Sequence, residues 1–254
     1  MLRSFFLILL LFYASNCLAD SSEDNSQNKS VSFEATADNI AIQYQQMGWF
    51  SGALLITKND RKLFSSSYGF QNIEQKIKNS SQSRFNLGSI MKDFTKVLIL
   101  QQFEAGKLKL SDKLTTFELG FKQRHADKIT IEHLLNHSAG FSDIFVAEYR
   151  QNQLAFDTLD KKIKLLVNSP LLFKPGTERK YSNYGYVVLG VILEKVTGKP
   201  FEELLKINIF NRAGMSSTIF KPINSQRHQS IRYTYQHDNM LRQVGVTEHP
   251  GPDG

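Results

Sequence analysis

Ser89 and Lys92 stand three residues apart at the head of an apolar stretch that reads GSIMKDFTKVLILQQFEAGK. If the stretch is a helix, their side chains lie one turn apart on the same face. A lysine at a helix N-terminus opposes the helix dipole, so local stability does not call for it there. Chemistry can. A serine hydroxyl is a weak nucleophile until a neighbouring group takes its proton, and a lysine does so when its surroundings favour the neutral amine. A helix N-terminus also favours negative charge developing beside it. Taken alone, the spacing is weak evidence, because two common residues meet this way by chance in many helices.

A second pair strengthens it. In Lys180-Tyr181-Ser182-Asn183, Tyr181 and Asn183 are two apart, so an extended segment would turn both side chains the same way. A tyrosine can relay a proton, and an asparagine amide can hold a substrate carbonyl or fix the lysine. In isolation Tyr181 would be read as a packing aromatic. His133 and His137 are four apart, which is metal-ligand spacing on a helix. Glu132 precedes His133, so the motif is not H-E-x-x-H, and no third ligand is evident; neither a metal nor another cofactor is expected. His237 and Asp238 imitate part of a hydrolase triad, without the G-x-S-x-G elbow that would accompany one.

The elements that must position these residues are mostly helical. Thr36 to Met47 has the spacing of a first helix. Ala53 to Ile56 and Lys62 to Phe64 flank a turn at Asn59-Asp60 and predict a β-hairpin. Gln71 to Ser83 reads as a polar loop, and the serine–lysine helix runs from there to a stop near Gly106. Thr130 caps a short helix ending near His137, Leu159 to Val167 is amphipathic, and Asn183 to Val196 is strongly apolar up to Gly198. Pro200 starts a further helix, and Arg232 to Tyr235 reads as a strand. A lone hairpin is barely stable, so sheet partners are expected elsewhere.

Four segments in order, FNLGSIMKDFT, ITIEHLLNHSAGF, KPGTERKYSNYGYVVLGVILEKVTGKPFEELL and IFNRAGMSST, together resemble the serine β-lactamase and penicillin-binding-protein family. The likeness is to its Y-x-N branch of class C β-lactamases, D-alanyl-D-alanine carboxypeptidases and related esterases. It runs from about Phe50 to Thr218. It implies an α/β (α+β) fold of the β-lactamase/transpeptidase type, an antiparallel sheet flanked by helices plus a helical lobe. It also implies Ser89 as the acylated nucleophile, Lys92 as its proton acceptor or electrostatic partner, Tyr181 as acid/base and Asn183 as a substrate-amide contact. The Ser89 N–H would be half of an oxyanion hole. Whether lysine or tyrosine is the formal base is left open by the sequence. The family's third motif, a Lys or His followed by a small residue and Gly on a strand, has only His249-Pro250-Gly251 as a candidate, and prolines oppose a central strand. The chain is therefore expected to be an incomplete family domain over 33–254, truncated before the C-terminal strands.

Composition bounds the setting. With 254 residues and 41% hydrophobic content, the chain can bury one sizeable core. Met1 to Ala19 carries a basic start, an apolar run too short to span a bilayer, and small residues at its end, which predicts a secretory signal peptide. Cys17, the only cysteine, would leave with it, or less readily carry a lipid anchor. Residues 20–32 are polar and read as a disordered leader. The expected location is periplasmic or secreted, with membrane contact only through the signal segment. The formal charge of +7 falls to +6 without Arg3, and no basic run interleaved with aromatics points to nucleic acid. The expected partner is a small-molecule or cell-wall peptide substrate: a β-lactam, a D-Ala-D-Ala peptide or a small ester. The competing expectation is a non-catalytic fragment or penicillin-like ligand binder; oligomeric state is not legible.

Overall fold

The computed structural model describes residues 32–221, 229–235, 241–243 and 249–254. The expected signal segment with Cys17, the expected leader except Ser32, and the His237–Asp238 pair lie outside them. Ser32 is a helix cap: its hydroxyl accepts the Ala35 N–H at 3.2 Å and starts α1 (Phe33–Gln46). The predicted hairpin follows as β1 (Gly52–Lys58) and β2 (Arg61–Tyr68), antiparallel, in register from Gly52 opposite Tyr68 to Ile56 opposite Phe64, with a bulge at Leu63 before Thr57 meets Lys62. Asn59 and Asp60 turn it with φ of 48° and 61°, the two left-handed residues that match the twist of a hairpin. The polar loop that follows contains a second small hairpin, β3 (Phe70–Asn72) and β4 (Ile77–Lys78).

A 3₁₀ turn at Gly88–Ile90 leads into α2 (Met91–Glu104). Short helices α3 (Gln123–Ala126), α4 (Ile131–Leu135), α5 (Ala147–Gln151) and α6 (Leu159–Lys164) come next. Then follow α7 (Asn183–Thr197) and α8 (Phe201–Leu205), which passes into a π-turn at Lys206–Phe210. A last antiparallel pair, β5 (Tyr233–Tyr235) and β6 (Leu241–Gln243), brings a strand where Arg232 to Tyr235 predicts one.

The core is built around α7. Every residue from Tyr184 to Leu193 is buried, as an all-round apolar helix must be. α2, α4, α6 and α8 pack around it. α2 is buried on one side only. Met91, Lys92, Thr95, Leu98, Ile99 and Gln102 face inward at helical spacing. Val97, Leu100 and Phe103, apolar in sequence, are nevertheless 43–44% exposed, because the helical period turns them to the opposite face.

Residues 249–254 return to the seam between α2 and α7. Thr95 Oγ1 donates to the Pro252 carbonyl at 2.8 Å, and buried Lys162 Nζ donates to the His249 carbonyl at 3.1 Å. Pro252 presses on α7 where only a glycine fits: a Cβ on Gly190 would stand 2.2 Å from Pro252 Cγ. His249-Pro250-Gly251 is thus part of a docked, non-strand segment and does not offer a strand-borne third motif.

Candidate active site

Asn86 begins the site. Its Oδ1 accepts the Gly88 N–H at 2.6 Å, a turn that bends the chain into the 3₁₀ segment with Gly88 at φ +50°. Ser89 is left exposed on that segment, and Lys92, one turn further along, is 4% exposed. A reachable hydroxyl therefore sits over a sheltered amine. Lys92 Nζ donates to Ser89 Oγ at 3.1 Å, to Asn183 Oδ1 at 2.7 Å and to the Asp253 carbonyl. These are three acceptors, one for each hydrogen of an ammonium group. A buried lysine without such partners would be costly.

Tyr181 approaches from the other side, its hydroxyl donating to Ser89 Oγ at 2.8 Å. The Lys92 amine lies 4.9 Å from the centre of its ring and 5.6 Å from that of Tyr186. All four residues singled out by the sequence, Ser89, Lys92, Tyr181 and Asn183, are thus brought into one cluster.

The way Tyr181 and Asn183 arrive differs from the extended segment expected. Ser182 is the N-cap of α7: its hydroxyl accepts the Gly185 N–H at 3.3 Å and donates to the Ser142 carbonyl at 3.0 Å. Asn183 is the first residue of the helix, and Tyr181 sits just outside it. The two converge because the chain turns at the cap, not because a strand alternates.

Asp143 is the residue that sequence reasoning missed. Its Oδ1 accepts the N–H of Asn183 at 3.1 Å and its own neighbour Ile144's N–H at 2.7 Å, and its Oδ2 accepts Asn183 Nδ2 at 3.1 Å. The carboxylate therefore fixes which end of the Asn183 amide faces Lys92. It lies three residues beyond Gly140 in a loop with no periodic pattern, and one aspartate among loop residues carries no signal of its own.

The histidines separate. His133 closes a capping box at the start of α4: Thr130 Oγ1 accepts its N–H, and its Nδ1 accepts the Thr130 N–H. α4 ends at Leu135, so His137 is not one turn further on the same helix; it follows in a left-handed conformation, φ +58°. The spacing that suggested a metal pair is not realised as helix geometry.

Beside Ser89 lies a groove of about 1310 Å³, walled by Trp49, Phe50, Phe70, Phe85, Ile90 and Tyr233. Trp49 is 73% exposed within it. The cluster can accept an acyl group on Ser89 with an apolar neighbour alongside.

A beta-lactamase family model matches residues 37–254. Penicillin-binding protein 4* of Bacillus subtilis (strain 168) is 30% identical over 219 residues, which cover 84% of this chain and 47% of that protein. Protein flp of Staphylococcus aureus (strain N315) is 30% identical over 205 residues, 78% of this chain and 41% of its own length. The chain thus spans about half the length of these relatives. A penicillin-binding protein from Bacillus halodurans superposes with a TM-score of 0.73 at 28% identity, over 84% of this chain and 68% of the other. A class C beta-lactamase shares the fold with a TM-score of 0.71 at 19% identity, over 88% and 61%. With the fold, the family match and these relatives in agreement, the chain belongs to the beta-lactamase family and has the β-lactamase/transpeptidase-like fold.

Proposed function

We propose that the chain is an exported serine hydrolase that opens an amide or ester through an acyl-enzyme on Ser89. The observation that carries this reading is the shared contact on Ser89 Oγ: Tyr181 at 2.8 Å and Lys92 at 3.1 Å. For attack, Tyr181 acts as a phenolate beside the Lys92 cation: it accepts the Ser89 Oγ proton as Oγ bonds to the carbonyl carbon. The C–N or C–O bond then breaks, the leaving group takes that proton from Tyr181, and water, giving its proton back to the same oxygen, cleaves the acyl-serine and restores the hydroxyl. Lys92, ringed by three acceptors, serves as the electrostatic partner, and Tyr181 as the group that exchanges the proton. Asn183 holds Lys92 through Oδ1 and offers its remaining amide hydrogen to a substrate carbonyl. The Ser89 N–H supplies one oxyanion donor.

The substrate classes that fit are a β-lactam, a D-Ala-D-Ala peptide and a small ester, and the aromatic groove favours an apolar group on the acyl side. Export rests on the apolar, small-residue-ended segment Met1 to Ala19. The competing reading, a ligand binder that is acylated without turnover, keeps the same serine and differs only in deacylation.

Covalent labelling decides. The chain is expected to take a fluorescent penicillin or a fluorophosphonate, and Ser89→Ala to take neither. Label on Ser89→Ala, or none on the folded wild type with either probe, would overturn the assignment. A label that forms and then persists for hours supports the ligand binder over the hydrolase. A panel of esters, β-lactams and D-Ala-D-Ala peptides then sorts the substrate.

A further inference from the structure

His137 is absorbed neither by a metal pair nor by the acylation chemistry, yet its backbone conformation is costly. A residue with a side chain adopts the left-handed backbone at a cost that surrounding contacts must offset. Those contacts converge on Tyr181. The His137 ring stacks on the phenol with centroids 4.5 Å apart and planes at 29°. Its carbonyl accepts the Lys180 N–H at 2.9 Å, and its Nδ1 accepts the Ser182 N–H at 3.3 Å. One residue thus holds the chain immediately before and immediately after Tyr181 and covers the ring between. The Tyr186 ring also lies against the imidazole, 5.1 Å between centres.

An Nδ1 that accepts is unprotonated, so the ring is neutral with its hydrogen on Nε2. The neighbourhood favours that state. Burial, then Lys92, Arg179 and Lys96, holds His137 below the usual imidazole range. The charged and titratable groups around it are these: Lys92 and Lys96 from α2, Arg179 from the loop before Tyr181, Tyr181 itself, and Tyr186 from α7.

We propose that His137 is a positioning residue for Tyr181, setting the phenol oxygen over Ser89 through the ring stack and the two flanking backbone contacts. The proposal rests on the reading of Tyr181 as the group that exchanges the proton of Ser89. A mere loop corner would need only a residue that tolerates the left-handed backbone. Asparagine tolerates it well, while lacking the ring. Phenylalanine keeps a ring and loses the Nδ1 acceptor.

The test uses the full chain with 13Cζ-labelled tyrosine, the Tyr181 resonance being identified by its loss in Tyr181→Phe. The expected result is that His137→Asn moves that resonance in a chain that still folds. It should also slow acylation of Ser89 by a fluorescent penicillin or fluorophosphonate by about 10- to 100-fold, since small misplacements of a reacting group cost that much. The concentration for half-saturation should change far less than the rate. His137→Phe is expected to move the resonance less and to recover part of the rate; if His137→Asn does not fold, His137→Phe against wild type decides alone. A Tyr181 resonance and an acylation rate both unchanged in the folded variants would overturn the proposal. A wild-type chain that takes no label sinks the hydrolase reading instead, and the Tyr181 resonance still decides whether His137 sets that ring.

Discussion

Asp143 grips Asn183 at two points, accepting its backbone N–H and its side-chain Nδ2, each at 3.1 Å. The carboxylate accepts only, so the amide is locked with Oδ1 toward Lys92. Without it, the amide is free to turn and present its NH₂ to an amine that already donates.

Asp143→Ala is therefore expected to slow acylation of Ser89 by roughly 10- to 100-fold, the equivalent of one charge-assisted hydrogen bond of about 1.5–3 kcal/mol. Stopped-flow labelling with a fluorescent penicillin measures it. An unchanged rate in a folded Asp143→Ala chain would show that the amide needs no clamp.

Lys92 and Tyr181 share Ser89 Oγ and should separate in kinetics. Each of Lys92→Ala and Tyr181→Phe is expected to lower the acylation rate by about 10²- to 10⁴-fold, the range for a positioned acid or base. Combining them should cost much less than the product of the two losses, because both serve the same step at Ser89 Oγ, Lys92 by its charge and Tyr181 by taking the proton. Rates that multiply would place the two residues in independent steps.

Gly190 and Gly185 both lie on α7, and they make opposite predictions. A Cβ at Gly190 meets the rigid ring of Pro252 at 2.2 Å, whereas one at Gly185 has ordinary contacts at 3.8 Å. Gly190→Ala should destabilise the fold by about 1–3 kcal/mol through overpacking. Gly185→Ala should be neutral or stabilise by up to about 1 kcal/mol through helix propensity. Urea denaturation of both variants gives the comparison, and equal midpoints would mean that residues 249–254 do not dock on α7.

His137 also predicts a pH dependence. Held below the usual imidazole range when folded, it takes up its proton first in the unfolded chain. Its contribution to stability is therefore complete above the unfolded value of about 6.5, and is lost as pH falls from there through the folded value. Glu194 has the opposite sense, since burial holds it above the usual carboxylate range and its contribution is lost as pH rises. The difference between wild type and His137→Asn isolates the histidine. Urea midpoints at about pH 7.5 and about pH 5.5 should show wild type losing more on acidification than the variant. Equal losses would assign the acid sensitivity elsewhere.

Much of the fold was legible because its signals are local. Asn59-Asp60 carries the hairpin turn, the unbroken apolar run from Tyr184 to Leu193 makes a buried helix, and Thr130 caps α4. The polar stretch from Gln71 to Ser83 hid a small hairpin because the only apolar residues of its strands, Phe70 and Ile77, are exposed and bury no face. Val97, Leu100 and Phe103 were legible as apolar, while packing decides which side of the helix is covered.

The site divides in the same way. Ser89 and Lys92 were determined by sequence alone, since a helical turn fixes the distance between residues three apart whatever the rest of the chain does. Tyr181 and Asn183 were legible as residue types, but their route to Ser89 was decided by the Ser182 cap and the start of α7. Asp143, His137 and the Asp253 carbonyl were decided by tertiary structure only. Each contributes through a contact between segments distant in the chain, where no periodicity exists and only the packing of α2, α7 and the loops between them brings the atoms within hydrogen-bond reach.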